Sequence, residues 1–210
     1  MQNRPSNYEV MKLQMAQEFL KYDQDKMIEK FRLAHDDENL YVRFAARDYA
    51  VDRATGRVFS ALGDADYNVT MTIYDVLCYS KPHCAASGRL VNMRSISSIQ
   101  GSTPAQEGDG LFGGFEKAFD GHCIALADAC EALNGVAEGK GDVAYRIPLF
   151  DFLPVMVQFW ESDDEFPASL QLFVDEHMLD FMHYETVWFA FSHLLRRLQT
   201  EMERIETERP

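Results

Sequence analysis

The chain has 210 residues, 47% of them hydrophobic and 26% charged, which excludes a disordered or collagen-like polymer. That length supplies apolar material for one good core, not for two large domains. Its 20 Lys and Arg face 34 Asp and Glu, a formal net charge of −14 that repels phosphate backbones and argues against general nucleic-acid binding.

The densest apolar stretch, residues 147–160, is interrupted by Pro148, Asp151, Pro154 and Gln158. A membrane helix needs about 20 apolar residues, so none is expected, and no signal-peptide run follows the first residues. The expected compartment is the cytoplasm, where Cys78, Cys84, Cys123 and Cys130 are free thiols.

In chain order, Ser6-Asn7-Tyr8-Glu9 has the form of a capping box, and Met11, Met15, Phe19 and Leu20 follow at helical spacing. The pattern resumes at Met27, Ile28 and Phe31, giving one helix broken near Asp23 or two short ones over 8–34. Leu40, Val42 and Phe44 alternate with polar residues, and Ala54-Thr55-Gly56-Arg57 is turn-like before Val58 and Phe59. This predicts a hairpin over 40–60. Residues 69–80 return to helix. Residues 81–110 are loop-rich, with a short strand near 90–93 and a mobile glycine-rich stretch at 101–110. A helix over 112–133 is interrupted at Asp120-Gly121 and closed by Asn134-Gly135, where glycine takes the left-handed conformation. Residues 143–174 alternate as three strands, punctuated by Pro148 and Pro154 and then by 162–167. Residues 184–206 form the last helix. Strands and helices do not alternate regularly, so the expected class is α+β: one domain over 1–210, with helices packed on an antiparallel meander.

Three groups of residues carry candidate chemistry. The turn Glu161-Ser162-Asp163-Asp164-Glu165 sets four carboxylates after an apolar strand, a pattern that suits a hard cation or general acid–base work. A solvated turn explains the same residues, although the flanking Trp160 and Phe166 point to a turn packed down on the core. Arg89 and Arg94 on the 87–96 loop, and Arg146 on the neighbouring strand, are of the type that clamps carboxylates or phosphates. The expectation is that one of Asp163, Asp164 and Glu165 pairs with one of these arginines and orders that loop. Third, Asp175-Glu176-His177 with Asp180 and His183 offers carboxylate–imidazole pairing, and His177 joins the ligand-binding candidates.

The dipeptides His83-Cys84 and His122-Cys123 have metal-ligand chemistry at poor spacing, so no metal and no cofactor is expected. Gly110 to Gly114 opens a helix but lacks the Lys-Ser/Thr ending of a phosphate loop. There is no nucleophile elbow, dinucleotide fingerprint or zincin pair.

Gly141-Asp142-Val143-Ala144-Tyr145-Arg146-Ile147-Pro148, Leu153-Pro154-Val155-Met156-Val157-Gln158-Phe159-Trp160-Glu161, Asp163-Asp164-Glu165-Phe166-Pro167-Ala168 and Leu172-Phe173-Val174-Asp175 together resemble the C-terminal half of a domain-of-unknown-function family of mostly anaerobic bacteria. Ile73-Tyr74-Asp75-Val76-Leu77 and Ser87-Gly88-Arg89 look like its central part, and the resemblance covers roughly residues 10–198. Some members of that family are joined to an iron–sulfur segment similar to one in the corrinoid subunit of CO dehydrogenase/acetyl-CoA synthase. This chain has no such cysteine cluster. The resemblance implies an intracellular protein near one-carbon or redox metabolism and transfers no catalytic residue.

The expected function is therefore a ligand-binding or accessory protein without catalytic activity, engaging a small molecule or a protein partner. The alternative is an enzyme that uses the acidic turn 161–165 with the loop arginines and a divalent cation.

Overall fold

Ser6 opens the first helix: its hydroxyl accepts the Glu9 N–H at 3.3 Å and starts α1, Asn7–Phe19. Asp23 repeats the device, taking the Lys26 N–H at 3.2 Å to start α2, Gln24–Phe31. The break near Asp23 therefore separates two short helices. This computed structural model describes residues 6–96 and 112–209, so the glycine-rich stretch 101–110 lies outside the described residues. The chain divides into two compact units, residues 1–85 with 179–190 and residues 86–178 with 191–210.

In the first unit Asp66 caps α3, Tyr67–Tyr79, by accepting the Val69 N–H at 3.0 Å. Helix α1 packs on α3 through Phe19 and Tyr74, whose ring centroids are 5.9 Å apart. The strands are β1 (Ala34–His35), β2 (Asn39–Phe44), β3 (Arg47–Asp52), β4 (Val58–Ser60) and β5 (Gly63–Asp64). They run in the order β5-β4-β3-β2, with β1 also paired to β2, and all these pairings are antiparallel. Leu40, Val42 and Phe44 alternate into the core, as their period of two requires.

Two turns replace the single one expected over 40–60. The first is Ala45-Ala46, with φ of 47° and 56°, linking β2 to β3. Two positive φ values in a two-residue loop match the twist of the flanking strands. Alanine seldom adopts that conformation, so the pair gave no turn signal. The second turn is at 54–57, where Asp52 Oδ1 takes the Ala54 and Thr55 N–H groups at 2.9 and 2.8 Å. Gly56 there has φ +76°, and a Cβ on it would stand 2.8 Å from the Ala16 carbonyl oxygen.

The second unit holds β6 (Leu90–Asn92), a 3-10 turn at Met93–Ser95, α4 (Gly113–Phe119), α5 (Cys123–Ala132), β7 (Val136–Ala137), β8 (Val143–Phe150), β9 (Leu153–Trp160) and β10 (Ser169–Asp175). The order is β8-β9-β10-β6, with β7 paired to β8, again antiparallel throughout. The meander read over 143–174 is its centre. Pro148 and Pro154 do not separate the strands. They face each other inside β8 and β9, beside an irregularity that removes regular pairing where proline has no N–H to give.

The end of α5 also differs from expectation. Asn134, with φ 60°, takes the left-handed position, and Gly135 does not. Glycine is required at 135 for space, because a Cβ would lie 2.6 Å from the Cys130 carbonyl oxygen. Ile147, Val155, Val157, Phe159, Leu126 and Ala129 are fully buried, and Phe119 meets Phe159 edge-on at 6.0 Å.

The last elements are α6 (Met178–Phe181) and α7 (Tyr184–Glu208). Residues of α7 through Ala190 belong to the first unit and those from Phe191 to the second. Val187, Phe191, Leu194, Leu195 and Leu198 form its fully buried face. Seven helices and ten strands among the described residues make the protein α+β. No helix among them is long and apolar enough to cross a membrane.

Candidate functional site

The acidic turn is held by neighbours that sequence reasoning did not nominate. Asp142 takes the Glu161 N–H at 2.8 Å, and Asp120 takes the Ser162 N–H and hydroxyl at 2.9 and 2.7 Å. The Ser162 N–H and hydroxyl hold the Asp120 carboxyl below the usual carboxylate range. Asp163 turns back on its own loop, where Oδ1 accepts the Glu165 and Phe166 N–H groups at 2.8 and 2.7 Å. Asp164 and Glu165 are exposed. Trp160 is half-buried, but Phe166 is 66% exposed, so the aromatic residue closing the turn is not packed down as expected. The turn keeps its shape through backbone hydrogen bonds to carboxylates instead.

The candidate arginines have other partners. Arg89 pairs with Glu176 at 3.0 Å and Arg146 with Glu138 at 2.6 Å. Arg94 is exposed and donates its backbone N–H to Asn92 Oδ1 at 2.9 Å. His177 is also exposed, and its backbone N–H goes to Asp175.

Asp175 is the residue that orders the start of the 87–96 loop. It ends β10 with no exposed surface. Oδ1 accepts the Ser87 N–H and hydroxyl, both at 3.1 Å, and the His177 N–H at 2.9 Å; Oδ2 accepts the Gly88 N–H at 2.8 Å. Burial pushes this carboxyl up, but the N–H groups of His177, Ser87 and Gly88 outweigh it and leave it below the usual range. The Glu176 N–H meets the Arg89 carbonyl at 3.0 Å, extending the pairing of β6 with β10. One buried carboxylate thus fixes a loop 87 residues away in sequence and places the Arg89–Glu176 ion pair beside it.

The first unit holds a second arrangement. Asp75, the only charged residue of α3, sits on that helix's buried side with 7% exposure. Oδ1 lies 2.6 Å from His183 Nδ1, and Oδ2 accepts the His183 backbone N–H at 2.7 Å. The His183 carbonyl in turn accepts the Thr186 and Val187 N–H groups, so this residue starts α7. Tyr79 stands edge-on to the imidazole with ring centroids 5.7 Å apart, and Tyr22 lies edge-on to Tyr79 at 5.9 Å. Burial, followed by the neighbouring Tyr22, pushes the Tyr79 phenol up to about 12. The sequence paired His183 with nearby carboxylates such as Asp180. That residue is engaged by Lys81, at 2.5 Å, and the imidazole reaches Asp75 instead. A lone Asp inside the apolar pattern Ile73-Tyr74-Asp75-Val76-Leu77 was the available signal.

Close to the end of α3, Lys30 donates to the Ser80 carbonyl and hydroxyl at 2.9 and 2.7 Å. Burial raises the Cys84 thiol, with Lys30 opposing. Burial pushes Cys78 and Cys130 up to about 12, and burial with Glu161 and Asp142 pushes Cys123 up to about 11. Among the described residues no group of three or more His, Cys, Asp or Glu is arranged to hold a metal ion.

Over residues 23–197 the chain matches the family described as a domain of unknown function (DUF3786), and it belongs to that family. No curated protein and no solved structure matches it.

Proposed function

We propose that the chain is a ligand-binding or accessory protein without catalytic activity, working in the cytoplasm near the one-carbon or redox metabolism of an anaerobe. Its resemblance to a family of mostly anaerobic bacteria, some members carrying an iron–sulfur segment, supports the setting. The observation that carries the reading is the use made of the candidate charges. Arg89 and Arg146 are matched to Glu176 and Glu138, and Asp163 closes its own turn. Such groups shape a surface and orient it. With two turn amides on Asp163 Oδ1, a divalent cation at 161–165 has to compete for that oxygen. The ligand-binding candidates remain Arg89, Arg94, Arg146, Asp163, Asp164, Glu165 and His177.

Native mass spectrometry of the protein purified from an anaerobic host tests the reading. A stoichiometric small molecule or partner chain is the expected result. A bare chain, with no companion recovered under any gentle condition, overturns it. A second reading, an enzyme, is favoured by one different observation, the buried Asp75 carboxylate behind the exposed His183 imidazole.

A further inference from the structure

We infer that His183 is a proton-accepting site, with Nε2 as the acceptor and Asp75 as the residue that positions it, for a small molecule carrying an acidic hydroxyl or thiol. The inference goes beyond the ligand-binding reading and stands on other residues.

The argument begins with what Asp75 grips. Both carboxylate oxygens hold the same residue, one through its ring nitrogen at 2.6 Å and the other through its backbone N–H at 2.7 Å. Backbone and ring are both fixed, and rotation of the imidazole would break the shorter contact. With Nδ1 donating to a carboxylate, the neutral ring carries its lone pair on Nε2. The two partners differ in environment. The Asp75 side chain is 10% exposed, whereas that of His183 is 62% exposed. A buried negative charge thus backs an imidazole that solutes can reach, and the interaction is stronger for being shielded from water.

The titratable groups facing the ring from α3 are Asp75 and Tyr79. Asp180, three residues earlier, is held by Lys81. Tyr79 stays protonated at neutral pH, so it braces the ring without competing as a base. His122 supplies the contrast. It also meets a carboxylate at 2.6 Å, but its partner Glu206 is 37% exposed.

The step balances simply. The Nε2 lone pair takes the proton, the ligand's O–H or S–H bond breaks with its electron pair left on oxygen or sulfur, and the imidazolium lies against the Asp75 carboxylate.

Two measurements on the full chain test this. The first needs no substitution: nitrogen-15 long-range correlation spectra of the neutral ring report its tautomer. A bare Nε2 on His183 is expected, and a protonated Nε2 overturns the inference. The second uses diethyl pyrocarbonate as the probe at pH 8, with each histidine followed by peptide mass spectrometry. Modification of His183 should slow about tenfold in Asp75→Asn while His122 keeps its rate. A slowing under about threefold overturns the positioning role. Should Asp75→Asn not fold, the tautomer measurement decides alone. Either failure leaves the ligand-binding reading intact, because that reading uses none of these residues.

Discussion

Replacing Asp175 with Asn keeps the shape of the side chain and removes its charge. The remaining oxygen can still take the three donors now on Oδ1, from Ser87 and His177, but the new NH₂ is set against the Gly88 N–H that Oδ2 accepts at 2.8 Å. A hydrogen bond to a charged group contributes about 1.5–3 kcal/mol net, and the three survivors weaken when the charge goes, so the expected loss is about 2–4 kcal/mol. Trp160 lies in the second unit and Trp188 in the first. Urea unfolding followed by Trp160 fluorescence in a Trp188→Phe background therefore reports the affected unit. Amide exchange at Ser87 and Gly88 should rise in parallel. The pH dependence has a definite sign. The folded carboxyl is held below its unfolded value, so its contribution is full above about pH 3.9 and fades as pH falls through the folded value. The gap between wild type and variant should hold from pH 5 to 8 and close in acid. A loss under about 0.5 kcal/mol at pH 7, with unchanged exchange, would refute the reasoning.

Leu195→Ala, at a fully buried position of α7, should cost about 2–5 kcal/mol by chemical unfolding; a change within surface noise would mean that this face does not carry the core. Gly56→Ala should cost about 2–4 kcal/mol, from a left-handed backbone and a Cβ pressed on the Ala16 carbonyl, and a neutral effect would contradict that close approach. Iodoacetamide at pH 7 should leave Cys78 and Cys130 unlabelled in the native protein, since both thiols are buried and raised to about 12; rapid labelling by mass spectrometry would refute this. Changing Asp163 and Glu165 together to Asn and Gln should leave amide exchange over residues 87–89 unmoved, because Asp175 holds that segment; faster exchange there would restore the acidic turn as its anchor.

Local signals were the legible ones. Ser6 announces its helix because a short side chain before an apolar period satisfies a backbone N–H three residues on. The strands of the meander were read from alternation, which burial on one face enforces. The Ala45-Ala46 turn was missed because its conformation comes from the strands on either side and not from its own residues. The partners of Arg89 and Arg146 could not be read at all. With 34 carboxylates available, a long exposed side chain takes whichever lies nearest after folding. Asp175 and Asp75 share a different obscurity. Each bonds to residues far away in sequence, 87 positions for Asp175 to Gly88 and 108 for Asp75 to His183, and only the finished topology brings such groups together.

The first unit draws on two stretches of chain separated by more than ninety residues, and Asp75 waits for a partner 108 positions downstream. During synthesis, α3 can therefore be complete while the segment that supplies hydrogen bonds to its buried carboxylate is still unmade. Closing so long a loop is entropically slow, and until then Asp75 has to find its hydrogen-bond partners in water. A ribosome stalled before residue 183 should consequently display a loosely packed, protease-sensitive amino-terminal region, with Asp75 acting as a timing mark for when that region can lock.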